Sequence, residues 1–197
     1  MLISNQGRRT LLGRLLNTAI PLSWPPPFLD KETLAEFARI QSEGSDQNFC
    51  TWYWIRCGDE RSDRTLIGSG GIASVQGEPD TVMIGYSVLG AYWNQGYATE
   101  AVRHLVPVIL DTPGIRRITA TTYPEMTVSI RVLEKNGFIR AGIGRWRKRQ
   151  GGRYGTVFSH QAVKNQESRS IETHNKRTGQ VSRRKNGFFY PTHAIQS

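Results

Sequence analysis

"YWNQGYATEA", residues 92–101, sets a glycine and an alanine two positions apart where an apolar run gives way to a helical one. A glycine-bearing loop that opens a helix presents backbone N–H groups at the positive end of the helix dipole, an arrangement that binds phosphate. Gly96 and Ala98 let the chain approach a pyrophosphate with no side chain in between. The spacing fits neither GxxxxGK[ST] nor GxGxxG, which excludes a P-loop and a Rossmann fingerprint. A second glycine run, "GSGG" at residues 68–71, lies inside a hairpin strand, where a β-bulge or a close backbone contact explains it better.

Downstream of the loop, Ala98, Ala101, Val102, Leu105, Val106 and Ile109 recur at helical spacing, although Pro107 inside that helix costs about 3 kcal/mol unless the helix bends. "GIRRITATTY" (114–123) alternates as a strand, and "TVSIRVLEKNGF" (127–138) is a short helix. With Gly137 left-handed after its end, Phe138 would fold back on Leu133, as in a Schellman stop. "IRAGIGRWRKR", "QGGR" and "YGTVFSHQAV" then form a last hairpin with a glycine turn. From Lys164 onward no period is sustained, so residues 1–163 are expected to be the folded domain and 164–197 a basic, disordered tail.

Upstream, "FCTWYWIRC", "TLIGSGGIAS" and "TVMIGYSVL" are rich in aromatic and β-branched residues and are separated by "GDERSDR" and "VQGEPD", the pattern of a three-stranded antiparallel meander. Residues 11–44 give two amphipathic helices divided by "PLSWPPPF", whose prolines force an extended connector. Asp30 is the expected N-cap of the second helix, with Leu34, Phe37 and Ala38 on its apolar face.

A chain of 197 residues with 38% hydrophobic residues can build one real core. No apolar run reaches the roughly 18 residues needed to span a bilayer, and Arg14 and Asn17 interrupt the N-terminal "LLGRLLNTAIPL", so a cytoplasmic protein is expected. Cys50 and Cys57, seven apart in one strand, point to opposite faces and are expected to be buried free thiols. No set of His, Cys and acidic residues has metal-ligand spacing, so no metal is expected. Of the net charge of +10, residues 1–139 contribute −1 (13 basic, 14 acidic) and residues 140–197 contribute +11 (13 basic, 2 acidic).

"IGYSVLGAYWNQGYATEAV" (84–102) resembles the acetyl-CoA-binding motif of the GNAT acetyltransferase superfamily, in the branch similar to ribosomal-protein N-terminal acetyltransferases. Gly96 and Ala98 match the last two fixed positions of its Q/R-x-x-G-x-G/A pattern, and Trp93 stands where Gln or Arg is usual. "SIRVLEKNGF" (129–138) and "SWPPPFLDKETLAEF" (23–37) extend the resemblance in consistent order over roughly residues 10–145. It implies an α+β (mixed α/β) fold, a splayed and mostly antiparallel central sheet flanked by helices, here with the first strand missing. It also implies acetyl-CoA as cosubstrate and a primary amine, on a protein N-terminus or a small molecule, as acceptor. Backbone groups near Ser87, Val88 and Leu89 would pair with the pantetheine arm, and Asn94, Gln95, Gly96, Tyr97, Ala98 and Thr99 would cradle the pyrophosphate.

Two positions depart from the family pattern. Met126 replaces the usual Asn, so no side-chain oxygen caps the helix, and Leu133 fills the slot where many relatives carry a catalytic Tyr. In the branch resembled here a serine at the position of Ser129 protonates the leaving thiolate, which makes Ser129 the candidate acid; an ordinary serine in a first helical turn is the competing reading. Glu100, Tyr123, Glu125 and His104 read as structural, and no general base is assigned. The expected partners are acetyl-CoA, the amine acceptor and a second copy in a homodimer, with no membrane. The alternative function is a catalytically impaired CoA-binding module whose basic C-terminal region holds nucleic acid or another polyanion.

Overall fold

The computed structural model describes residues 5–27, 29, 31–44, 46, 48–58, 63–147, 152–161 and 187–191. Helices α1 (Asn5–Leu16) and α2 (Lys31–Glu43) precede strands β1 (Cys50–Cys57), β2 (Arg64–Val75) and β3 (Glu78–Val88). Then come α3 (Tyr97–Leu110), β4 (Arg117–Thr122), α4 (Thr127–Lys135), β5 (Ile139–Arg147), β6 (Gly152–Gln161) and β7 (Gly187–Pro191). The strands form one sheet in the order β5-β6-β4-β3-β2-β1-β7. All neighbours are antiparallel except β3 and β4, so the sheet is mostly antiparallel, as expected.

The meander β1–β2–β3 is present, and two of its glycines, Gly68 and Gly70, make room for one tryptophan. A Cβ on Gly70 would lie 2.8 Å from Trp54 Cζ2, and one on Gly68 would lie 2.7 Å from the Ser87 carbonyl and 3.2 Å from Trp54 Cε3. The buried indole of Trp54 therefore lies flat over bare β2 backbone. Close contact is the reason for "GSGG", while the register shift sits across from it on β1, between Trp54 and Ile55.

Strand alternation divides the apolar side chains between two layers. Trp52, Trp54, Ile84 and Val88 pack with α3 and α4 on one face, and Ile55 and Leu66 pack with Leu16 of α1 on the other. Cys50 belongs to the first layer and Cys57 to the second, on opposite faces, although both thiols are half-buried rather than buried. Ala101, Val102, Leu105, Val106 and Ile109 are the buried residues of α3. Pro107 stays inside that helix on its exposed side, next to Arg103, so the carbonyl that loses its helical partner lies where water can serve it. On α2, Phe37 meets Phe49 at 5.4 Å between ring centroids, whereas Ala38 is exposed; Asp30 lies outside the described residues, as do the side chain of Leu34 and the turn between β5 and β6.

β7 corrects the expectation for the tail at five residues. Gly187–Pro191 pairs antiparallel with Trp52–Arg56 and forms an edge strand beside β1. Backbone pairing to an open edge makes this strand, and five residues are too few to show a period. The remainder of 164–197 lies outside the described residues.

Candidate active site

Two features of the fold converge. β3 and β4 pair in parallel only through Thr81–Arg117, Val82–Ile118 and Met83–Thr119; beyond Met83 the strands part, and the sheet is splayed. At the far end of β3 the chain makes a short 3₁₀ turn, Gly90–Tyr92, and enters α3 through the loop Trp93–Gly96.

That loop is held in an unusual shape. Asn94 has φ +58° and Gly96 has φ +89°, a left-handed conformation that glycine adopts without a Cβ penalty. Gly96 is the N-cap of α3 and no side chain caps the helix; the first helical bond runs from the Glu100 N–H to the Gly96 carbonyl at 2.9 Å. The N–H groups of Tyr97, Ala98 and Thr99 thus precede the ladder and point out of the helix start. Gln95 turns away, its Nε2 donating to the Ala91 carbonyl at 2.9 Å. A Cβ built on Gly96 meets nothing within 4 Å, so the space beside the N-cap itself is open. The Tyr92 and Tyr97 rings meet edge to face behind it. Arg56 of β1 is held above its ordinary pKa chiefly by a hydrogen bond with the Tyr97 side chain, and then by Asp63, which brings a cation beside the helix start.

Along the opening, backbone direction selects among the expected residues. In a β-strand, alternate residues send both N–H and C=O toward the same neighbour. The Asp80 carbonyl accepts from the Arg116 N–H at 2.8 Å and the Val82 carbonyl from Thr119 Oγ1 at 3.4 Å, so this parity of β3 faces β4. Tyr86 and Val88 share it. The Leu89 N–H is spent on the Ile67 carbonyl of β2 at 2.8 Å, and Ser87 has the same parity as Leu89. Of the trio Ser87, Val88 and Leu89, Val88 has the parity that faces the opening, a parity it shares with Tyr86, whereas Ser87 and Leu89 have the parity that faces β2. Trp93 is 52% exposed, and its indole N–H donates to the Val88 carbonyl at 2.7 Å. The Ser87 hydroxyl instead lies across the sheet, donating to the Pro27 carbonyl and tying the proline connector to β3.

Ser129, half-buried in the first turn of α4, meets the phenol of Tyr86 with Oγ at 3.2 Å. Tyr86 stacks on Trp54, with centroids 6.0 Å apart and planes 26° apart. Burial pushes the Tyr86 pKa up to about 12, against a smaller opposing effect of the Ser129 hydrogen bond, so the phenol is a neutral O–H at any working pH. Tyr86 was not identified from the sequence; the available signal was its place in "IGYSVL", two residues before Val88 on the same strand face.

Leu133 is 1% exposed, and its carbonyl accepts the Phe138 N–H at 3.1 Å while Glu134 accepts that of Gly137 at 3.1 Å, the two bonds of a Schellman stop. Glu125 is exposed, Glu100 and Tyr123 are half-buried, and His104 lies on the outer side of α3. Met126 is the N-cap of α4 and supplies no side-chain cap bond. Met126→Asn is therefore expected to stabilise the fold by about 1 kcal/mol, seen as a rise of about 2–4 °C in Tm. An unchanged or lower Tm in thermal unfolding would contradict this.

The chain shares its fold with a GNAT-family acetyltransferase from Streptococcus pneumoniae (TM-score 0.52, 13% identity, 79% of this chain and 92% of the other). An aminoglycoside acetyltransferase solved with coenzyme A and kanamycin is similar to the same degree (TM-score 0.51, 17% identity, 81% and 92%). In sequence it is 32% identical over 90 residues to YoaA, an uncharacterised N-acetyltransferase of Bacillus subtilis (strain 168), covering 45% of this chain and 51% of that protein. The chain spans about half the length of three of the curated relatives it matches. The family pattern described as an acetyltransferase (GNAT) domain matches residues 14–139, which hold the meander, the bare start of α3, the parting strands and the Schellman-stopped α4. On that match and that architecture, the chain belongs to the GNAT acetyltransferase family.

Proposed function

We propose that this protein is an N-acetyltransferase that passes the acetyl group of acetyl-CoA to a primary amine by direct attack. The observation that carries this reading is the uncapped start of α3, with Gly96 left-handed, placed at the end of the strand that parts from β4. The residues present suit the cosubstrate: N–H groups of Gly96–Thr99 for the phosphates, and backbone groups of Tyr86 and Val88 for the amide-bearing arm. When bound, acetyl-CoA supplies an activated thioester. Ser129 gives its hydroxyl proton to the departing thiolate, and side-by-side binding of the two substrates supplies much of the rate.

The acceptor is a primary amine of a protein N-terminus or of a small molecule. The order of motifs around residues 23–37, 84–102 and 129–138 supports the branch of ribosomal-protein N-terminal acetyltransferases. A turnover screen over N-terminal peptides, polyamines, aminoglycosides and amino acids, read by release of free thiol from acetyl-CoA, tests the proposal. Amine-dependent release with at least one class is expected. Saturable acetyl-CoA binding with no amine-dependent release in any class would overturn the catalytic part.

A further inference from the structure

We propose that Tyr86 is the positioning residue for Ser129, holding the serine hydroxyl so that its own proton faces the opening between β3 and β4. This inference rests on the acetyltransferase reading above and assigns a role within the same site.

The geometry is specific to where the two strands have separated. Tyr86 lies three residues beyond Met83, the last residue of β3 paired to β4, and Ser129 lies in the first turn of the helix that follows β4. The contact between them therefore bridges the two sides of the opening, from β3 to α4. The phenol is set at one height, because its ring stacks on Trp54 and Trp54 lies over the bare backbone of Gly68 and Gly70. Tyr86 Oη lies 3.2 Å from Ser129 Oγ, a contact in which either oxygen can donate, and 3.4 Å from the Ser129 main-chain carbonyl, which can only accept. A phenol carries one proton, and we take it as directed at the nearer oxygen, Oγ, rather than at the carbonyl. With that proton directed at Oγ, the serine's own hydrogen is turned away from Tyr86.

The consequence for group transfer is a balanced proton path. The amine nitrogen forms the new amide bond as the carbon–sulfur bond of the thioester breaks, and the electron pair of that bond leaves on sulfur. Ser129 Oγ–H delivers its proton to this sulfur, and the negative charge left on Oγ receives the Tyr86 O–H hydrogen bond. The proton shed by the amine nitrogen then restores the serine hydroxyl. Tyr86 itself stays neutral throughout and touches no reacting atom.

Tyr86→Phe keeps the ring and its stacking and removes only the hydroxyl. The expected result is a kcat about tenfold lower, the size of one lost hydrogen bond, with KM for acetyl-CoA unchanged. In a Ser129→Ala background the same substitution should cost nothing further, since its effect runs through Ser129. An unchanged kcat in Tyr86→Phe, or an equal loss in both backgrounds, would overturn the proposal. Wild-type protein inactive toward every amine is a failure of the acetyltransferase reading instead. In that event the side-chain couplings of isotope-labelled Ser129 decide the matter by NMR: one rotamer in the wild type and averaging in Tyr86→Phe support the positioning role, and identical couplings in the two proteins refute it.

Discussion

Gly96→Glu is expected to lower acetyl-CoA affinity by at least about 100-fold in a calorimetric titration. Two effects act at this position. With φ at +89°, any L side chain at this position is strained, at a cost on the order of 1–3 kcal/mol. The larger part is electrostatic. A carboxylate about 5 Å from a phosphate charge costs about 3 kcal/mol at an effective dielectric near 20, roughly two decades in affinity. It would stand at the positive start of α3, where the N–H groups of Tyr97, Ala98 and Thr99 would otherwise receive the phosphate. Gly96→Ala separates the two effects, since its methyl group would project into open space without charge; the strain is carried by free and bound protein alike, so a lower Tm with affinity near that of the wild type is expected. If the Glu variant folds and binds with wild-type affinity, the loop is not the phosphate site.

Ser129→Ala is expected to lower kcat by about 100-fold or more, the usual size of a lost general acid, while KM for acetyl-CoA stays the same. Its side chain is half-buried and its described hydrogen-bond partner is Tyr86, so truncation removes a proton donor without opening the core. Leu133 cannot stand in for it, because that side chain is sealed in the core and carries no proton to give. An unchanged kcat would return Ser129 to the role of an ordinary first-turn serine.

Much of this architecture is legible in the chain because it is local. Ala101, Val102, Leu105, Val106 and Ile109 announce the buried stripe of α3, and Gly137 with Phe138 announces the stop of α4, since each depends on residues within a few positions of one another. Gly96 is legible for the same reason: a left-handed turn before a helix leaves its mark in one residue. The site's tertiary contacts leave no such mark. Tyr86 and Ser129 are 43 positions apart, and only the parting of β3 from β4 and the folding-back of α4 bring them together. The glycines of β2 are visible in the sequence, but their purpose depends on Trp54, on a different strand. Leu89 illustrates a subtler loss. Which backbone groups face the opening depends on strand parity, and parity is fixed by pairings such as Leu89 N–H to Ile67 that composition does not reveal. β7 is hidden for a third reason, because its pairing partner β1 begins more than 130 residues upstream of it.

The most direct test of where the cosubstrate lies is a crystal structure of the protein soaked with coenzyme A. The expected density places pyrophosphate oxygens about 3 Å from the backbone nitrogens of Tyr97, Ala98 and Thr99, in front of Gly96. Pyrophosphate found elsewhere on the protein, with the start of α3 left to water, would contradict the reading of residues 92–101 on which the proposed function stands.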